Sequence, residues 1–238
     1  MNAWLAPSPR PWIIGHRGVG GDAPENTLRA FRLARAQGAD GIECDIQLSA
    51  DHIPIILHDA SLDRTTNAHG PVSRYSAAQL QQIDAGQGER VPTLAQLFES
   101  LGRDCLYNLE IKVYGWRDRG CAARIAECIR AHGLAEQIVI SSFDPRALYR
   151  ARRVMPAGVI CALLHAGDAR FAPYLFRGAA DHPHHAEVTP RYLAWARRRG
   201  IRVHVWTVDD PALAQRLWAD GVHAIITNTP QRLALAWQ

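Results

Sequence analysis

At 238 residues, 47% of them hydrophobic and 21% charged, the chain can bury one large core but is short for several ordinary domains. Its net charge of +4 rests on arginine, since Lys112 is the single lysine. The runs Arg150-Arg152-Arg153 and Arg197-Arg198-Arg199 fall in helical patterns and read as solvated faces. Nucleic acid is a poor second reading without interleaved aromatics or a recognised motif, although a mild positive field favours an anionic substrate. No stretch of about 18 apolar residues predicts a membrane span, and Met1 to Pro7 lacks the basic and apolar regions of a signal peptide. The five cysteines (Cys44, Cys105, Cys121, Cys128 and Cys161) have no CxxC spacing. They read as buried free thiols in a reducing compartment, so a cytoplasmic location is expected.

Trp12-Ile13-Ile14 predicts a first strand leading into His16. Asn26-Thr27 starts a helix whose stripe of Leu28, Phe31, Leu33 and Ala34 closes at Gly38. Ile42 to Leu48 is a second strand. Ile53 to Leu57 is a further extended run, in which Pro54 marks an edge or a strand start. From Ser61 to Val91 the alternation breaks into turn-rich sequence with a short helix over Ser76 to Ile83. This reads as a small insertion after the second strand, over a barrel mouth and too poor in apolar residues for a core of its own. Beyond it, Thr93 caps a helix through Leu101. Strands over 106–111, 138–143 and 159–164 then alternate with helices over 121–131 and 146–154. A poor strand follows near 181–186, and Pro190 opens a helix to Arg199. A strand over 202–208, a helix over 211–219 and a last strand over 224–227 complete the chain. Strands alternating with helices imply a parallel sheet, and a count near eight over a length near the typical ~250 residues implies one closed (β/α)8 barrel domain spanning 1–238.

Active sites of such barrels lie at the carboxyl ends of the strands. His16, Glu43, Asp45, His58, Glu110, Trp206 and Thr227 all fall there on these assignments. In a strand, residues two apart share a face, so Glu43 lies with Asp45 and Glu110 with Lys112. Three carboxylates on buried strands are costly without compensation. One hard divalent cation, Mg2+ or Ca2+, suits their oxygen-only ligand set; the bland alternative is an ion-pair network with Arg17 and Lys112. His16 and His58 beside that cluster read as an acid/base pair. His52, His69, His132 and His165 read as surface or loop residues. His182, His184 and His185 form a denser group for which a zinc-like role is conceivable but poorly supported. Gly18-Val19-Gly20-Gly21 lacks both Walker and GxGxxG spacing, so nucleotide binding is a weak reading.

In order and spacing, His16-Arg17-Gly18, Ala23-Pro24-Glu25-Asn26-Thr27, Glu43-Cys44-Asp45, His58-Asp59, Leu62-Asp63-Arg64-Thr65-Thr66, Glu110-Ile111-Lys112 and Val205-Trp206-Thr207-Val208 resemble the glycerophosphodiester phosphodiesterases of the cytosolic bacterial type. The resemblance runs from His16 to Pro230. It implies a barrel with a small insertion after the second strand, a divalent ion on Glu43, Asp45 and Glu110, and His16 and His58 as catalytic pair. Three positions depart from the family pattern: His223 and Asn228 stand where aspartates are common, and Asp209 where asparagine is frequent.

On this reading the chain hydrolyses a small glycerophosphodiester to sn-glycerol 3-phosphate and an alcohol. Arg17 and Lys112 would donate to non-bridging phosphate oxygens, and Phe143 and Trp206 would pack on the glycerol or a cationic headgroup. No stable membrane insertion is expected, and oligomeric state is open. One rival acts on lysophospholipids at a membrane surface and needs an apolar rim, which only Phe171 to Phe176 offers. Another is a catalytically dead barrel that binds phosphorylated ligands.

Overall fold

The computed structural model describes residues 2–114, 120–167, 176 and 178–237. Strand β1 (Trp12–His16) is followed by helix α1 (Leu28–Ala36), β2 (Gly41–Leu48) and β3 (Pro54–Ile56). The insertion carries α2 (Ala77–Leu80), and α3 (Leu94–Leu101) returns the chain to the barrel. Then come β4 (Leu106–Ile111), α4 (Cys121–His132), β5 (Ile138–Ser142), α5 (Pro145–Val154), β6 (Ile160–His165) and β7 (Ala180–Pro183). The chain ends with α6 (Pro190–Arg198), β8 (Arg202–Val205), α7 (Pro211–Asp220), β9 (Ala224–Thr227) and α8 (Pro230–Leu235).

Among the described residues, eight parallel strands run in the order β1-β9-β8-β7-β6-β5-β4-β2, and the β1–β2 pairing closes the ring into a (β/α)8 barrel. β3 is the exception: it pairs antiparallel to β2, with Ile46 opposite Ile56 and Leu48 opposite Pro54. A turn at 49–53 therefore sends the chain back down beside β2. Pro54, which has no N–H to donate, sits where a ladder bond is least missed.

Helix starts follow local chemistry. Thr27 caps α1, while Ser76 with Gln79 and Thr93 with Gln96 form capping boxes for α2 and α3. Helices α5 to α8 each begin with an Asp or Thr followed by Pro, whose fixed φ suits the first turn. α8 was not expected, because its short stretch after Thr229-Pro230 has too few turns to show a period. The strand expected over 202–208 stops at Val205, and the poor strand near 181–186 is β7.

Alternation along the strands sorts the core into two shells. Ile42, Cys44 and Ile46 of β2, with Leu109 and Ile111 of β4, face the helices, where they join Phe31, Phe98, Ile125 and Leu148. The inward positions at the strands' amino ends are apolar: Ile14, Leu106, Val139, Ala162, Ala180, Ala224 and Ile226 pack around Trp4. Trp4 plugs that end, its indole donating to Gln137 O at 2.8 Å and its ring stacked 5.0 Å from His204.

The insertion has a core of its own, contrary to the expectation from its composition. Leu62, Val72, Ala77, Leu80, Ile83, Ala85 and Val91 are buried together with Ile55 and Leu57 of the β3 run. Their sequence spacing is irregular because turns, not one periodic element, gather them. His165 is another correction. It is fully buried, with Nε2 3.0 Å from Asp181 Oδ2, which also accepts from the Tyr192 hydroxyl at 2.5 Å.

Candidate active site

Inward positions near the carboxyl ends of the strands are polar. Glu43 and Asp45 of β2 stand beside Asn108 and Glu110 of β4, because Glu43 is in register with Asn108 and Asp45 with Glu110. One oxygen from each of Glu43, Asp45 and Glu110 lies within 4.8 Å of the others, and all three residues are buried. A cavity of about 250 Å3 opens above them, lined by His16, Arg17, Glu43, His58, Asn108, Glu110, Lys112, Phe143 and Trp206, among others. Eight of the nine residues expected from the sequence to have a metal-binding, substrate-binding or proton-transfer role therefore line one cavity. The ninth, Asp45, lies beneath it, bound to Arg17 and Lys112.

The electrostatics of this cluster are unbalanced. Lys112 Nζ lies 2.7 Å from Glu110 Oε1 and 3.2 Å from Asp45 Oδ1. The Arg17 Nε is 3.3 Å from Asp45 Oδ2. Two cations thus face three carboxylates, and Arg17 is further shared with Glu25 at 3.0 Å. Burial, followed by repulsion from Asp45 and Glu110, pushes the Glu43 carboxyl well above its usual range. Glu110 is pushed up to about 7, by burial and then by Asp45. Asp45 Oδ1 is buried without a hydrogen-bond partner of good geometry. Three buried oxygen ligands that repel one another, with the Glu43 and Glu110 carboxyls pushed up by burial and that repulsion, fit a hard divalent cation. The ion-pair network anticipated as an alternative is present as well, but it leaves the carboxylates undercompensated.

The two ends of the loop between β1 and α1 hold the cluster in place. Arg17 and Asn26 both adopt left-handed backbone, with φ of 52° and 59°. Such backbone is held in place only by surrounding contacts. It brings Arg17 N–H to Glu43 Oε2 at 3.0 Å, and Asn26 Nδ2 to Asp45 Oδ2 at 2.8 Å. From the sequence Asn26 reads as a helix start and a motif position and not as a partner of Asp45, because that contact depends on the β1–β2 pairing.

His58 arrives by a route the sequence did not reveal. It follows the antiparallel β3 on its return toward the mouth, with Leu57 N–H donating to Asp45 O at 3.0 Å, rather than ending a barrel strand. Its Nδ1 lies 2.6 Å from Asp59 Oδ1, and the Tyr114 hydroxyl donates to its carbonyl. Arg64 joins Asp59 at 2.6 Å to Glu25 at 2.7 Å. The Arg64 guanidinium, then the His58 contact, holds Asp59 well below the usual carboxylate range. His16 is oriented differently, with Nδ1 2.8 Å from Asn228 Oδ1. Burial lowers its pKa, partly offset by that contact with Asn228. At the mouth, Phe143 meets Trp206 edge-on at 5.5 Å, and Trp206 Nε1 donates to His182 O at 2.8 Å.

Thr227 does not belong to this site. Odd positions of β9 face outward, and its hydroxyl donates to Asp209 at 2.9 Å. The histidine-rich stretch also lies apart from it: His182 Nε2 meets His204 Nδ1 at 3.0 Å inside the barrel. Among the described residues, the one clustering of metal-type ligands is the three-carboxylate group. Of the apolar segment Phe171 to Phe176, residues 171–175 lie outside the described residues. Phe176 is buried edge-on against Tyr149, under the Arg152 guanidinium. Among the described residues, no helix is long and apolar enough to cross a membrane.

Residues 16–232 match the model of the glycerophosphoryl diester phosphodiesterase family. A glycerophosphodiester phosphodiesterase from Caldanaerobacter subterraneus subsp. tengcongensis is 34% identical over 231 residues, covering 93% of this chain and 95% of that protein. The structure of an Oleispira antarctica phosphodiesterase in complex with the product sn-glycerol-3-phosphate superposes with a TM-score of 0.85. It is 31% identical and covers 96% of this chain and 97% of the other. A glycerophosphodiester phosphodiesterase from Agrobacterium tumefaciens superposes with a TM-score of 0.80 at 27% identity, over 94% and 98% of the two chains. With cavity, acidic cluster and paired histidines in that same span, the chain belongs to the glycerophosphoryl diester phosphodiesterase family.

Proposed function

We propose that this chain hydrolyses small glycerophosphodiesters to sn-glycerol 3-phosphate and an alcohol, the whole chain acting as one barrel domain with the insertion at 61–91 as a cover over the mouth. The observation that carries this reading is the three-carboxylate cluster at the floor of a cavity that His16 and His58 both line. Glu43, Asp45 and Glu110 would hold one divalent cation, Mg2+ or Ca2+. When bound, such an ion supplies positive charge for the phosphate oxygens as negative charge builds on them. Arg17 and Lys112 line the same cavity and can share their donors between carboxylate and phosphate oxygens. Phe143 and Trp206 offer an aromatic corner to the glycerol or to a cationic headgroup.

The two imidazoles are set for opposite tasks. His58 has the carboxylate of Asp59 on Nδ1, which orients the ring and faces a charge opposite to an imidazolium's; it is assigned as the acid that protonates the leaving alkoxide. His16 has a neutral amide on Nδ1 and is largely desolvated, so it stays neutral and accepts the proton of the nucleophile, whether water or a glycerol hydroxyl. The five free cysteines support the cytoplasm as the working compartment.

The test is purified protein with glycerophosphocholine and with lysophosphatidylcholine, before and after EDTA and after re-addition of Mg2+ or Ca2+. The expected outcome is release of glycerol phosphate and choline from the first substrate, lost on chelation and restored by metal. Preferential turnover of lysophosphatidylcholine would move the activity to membrane lipids. Absence of hydrolysis with every metal would refute an enzymatic role, and full activity after exhaustive EDTA would refute the metal.

A further inference from the structure

Behind His16 lies a set of contacts whose members do not line the cavity. Asn228, the residue after β9, places Oδ1 2.8 Å from His16 Nδ1. Its Nδ2 donates to Asp209 Oδ2 at 2.9 Å, and its backbone N–H donates to Asp209 Oδ1 at 2.7 Å. The Thr227 hydroxyl adds a further donor to Asp209 Oδ1 at 2.9 Å. The loop after His16 closes over this group: Gly20 N–H donates to Asn228 O at 2.8 Å, and a Cβ on Gly20 would stand 2.8 Å from Asn228 Cβ.

Hydrogen-bond logic fixes every proton in this chain of contacts. An ionised carboxylate only accepts, so the amide group of Asn228 must turn its NH2 toward Asp209. Its carbonyl oxygen then faces His16 and only accepts, so Nδ1 of His16 must carry the hydrogen. A neutral imidazole has one N–H, which leaves the Nε2 lone pair as the acceptor. Nε2 is the nitrogen 3.9 Å from Glu43 Oε2, on the cavity side.

We infer that Asp209 and Asn228 form a positioning relay that locks His16 in the Nδ1–H tautomer and aims its Nε2 lone pair into the cavity. The inference rests on reading His16 as a proton-transfer group. The relay needs an anion followed by an amide, in either order of residue type. With Asp209→Asn alone, the N–H of 228 and the Thr227 hydroxyl hold the new amide oxygen at the Oδ1 position, so its NH2 faces Asn228, whose own NH2 then turns toward His16 Nδ1 and favours the opposite tautomer. With Asn228→Asp alone, two carboxylates face each other 2.9 Å apart across the contact now made by Nδ2. With both changes together, residue 209 donates to residue 228, which accepts from His16 Nδ1–H as before, so the tautomer is restored.

Long-range 1H–15N spectra of the imidazoles, recorded at a pH where His16 is neutral, report the tautomer directly; kcat and KM for glycerophosphocholine report its consequence. The wild type is expected to show His16 with Nδ1 protonated. Asn228→Ala should show both tautomers and lose 10–100-fold in kcat with KM changed less than about threefold, the range for removing a partner behind an active group. Asp209→Asn/Asn228→Asp should recover to within a few-fold of wild type, while Asn228→Asp does not. Circular dichroism and thermal melting of each variant check the fold, and the wild-type spectrum stands whatever the variants do. An Nε2–H tautomer in the wild type overturns the relay. So does an Asn228→Ala variant with wild-type kcat, or a double variant no better than Asn228→Asp. Failure of the wild type to cleave any diester would instead overturn the function on which the relay rests.

Discussion

Glu43 is held against its preference: it is buried, repelled by Asp45 and Glu110, and compensated chiefly by Arg17. Replacing it by Gln removes one repelling charge and keeps an oxygen that can accept from Arg17 N–H. The metal-free Glu43→Gln protein should therefore melt at a higher temperature than metal-free wild type, yet gain little from Mg2+ or Ca2+ and turn over at least ~10²-fold more slowly. Thermal melts with and without metal check this; a lower metal-free melting temperature combined with a retained metal-induced rise would show that Glu43 is a structural partner and not a ligand. The histidines give a second prediction at this scale. Either His16→Ala or His58→Ala should cost on the order of 10²–10⁴ in kcat. A nitrophenyl diester leaves without needing a proton, so it should largely rescue His58→Ala and not His16→Ala. The reverse pattern would exchange the two roles, and a loss of only a few-fold in both would make the pair structural.

β3 and the insertion act as one element in positioning His58. Ile55 and Leu57 face the insertion's core while Ile56 faces the barrel's helices, so β3 is stitched into both cores by its alternation. Arg64 then ties the insertion to the His16 loop through Asp59 and Glu25. It is about half exposed, with 49% of its side-chain surface accessible, so these ion pairs contribute more to orientation than to stability. The buried leucines carry the stability. Leu80→Ala, at a fully buried position, should cost roughly 2–5 kcal/mol of the insertion's local stability. It should raise hydrogen exchange across 61–91 and leave barrel strands protected. Because His58 hangs from this element, and on the proposed reading the insertion covers the alcohol portion of the substrate, kcat/KM for glycerophosphocholine should fall more than for bis-nitrophenyl phosphate. Equal falls for both substrates would show that the insertion plays no part in recognising the alcohol.

At the scale of the whole barrel, what was legible in the sequence was whatever a local pattern encodes. β4 and β9 match their expected ranges because apolar alternation ends at turns, and Thr93 and Pro190 mark helix starts by their own chemistry. Glu43 with Asp45, and Glu110 with Lys112, were readable as pairs because a period of two places each pair on one strand face, whereas their union depends on the β2–β4 register. Asn228, Asn26 and the direction of β3 were not, since each depends on which distant segments become neighbours on closure. The same holds for the buried imidazoles of His182 and His204, contributed by adjacent strands and lidded by Trp4. Burial lowers the His182 pKa to about 3, with His165 adding to the effect, and lowers His204 well below its ordinary value, with His182, His223 and Arg202 adding. Both are therefore neutral in the fold and take up protons near 6.5 once unfolded. Their contribution to stability is complete above pH 6.5 and is lost as pH falls from there toward the folded values. Each proton taken up on unfolding steepens the loss by about 1.4 kcal/mol per pH unit. The pair's share of the melting temperature should thus fall between pH 6.5 and 4.5, a window in which the raised Glu43 and Glu110 carboxyls of the metal-free protein act in the opposite direction in wild type and variant alike. His182→Leu/His204→Phe replaces the pair by apolar groups of similar size in an already apolar barrel end, and should flatten that slope while leaving the neutral-pH melting temperature within a few degrees of wild type. Melts of both proteins at half-unit pH intervals, with bound metal removed from each, decide the matter, since equal slopes would place the acid sensitivity elsewhere in the molecule.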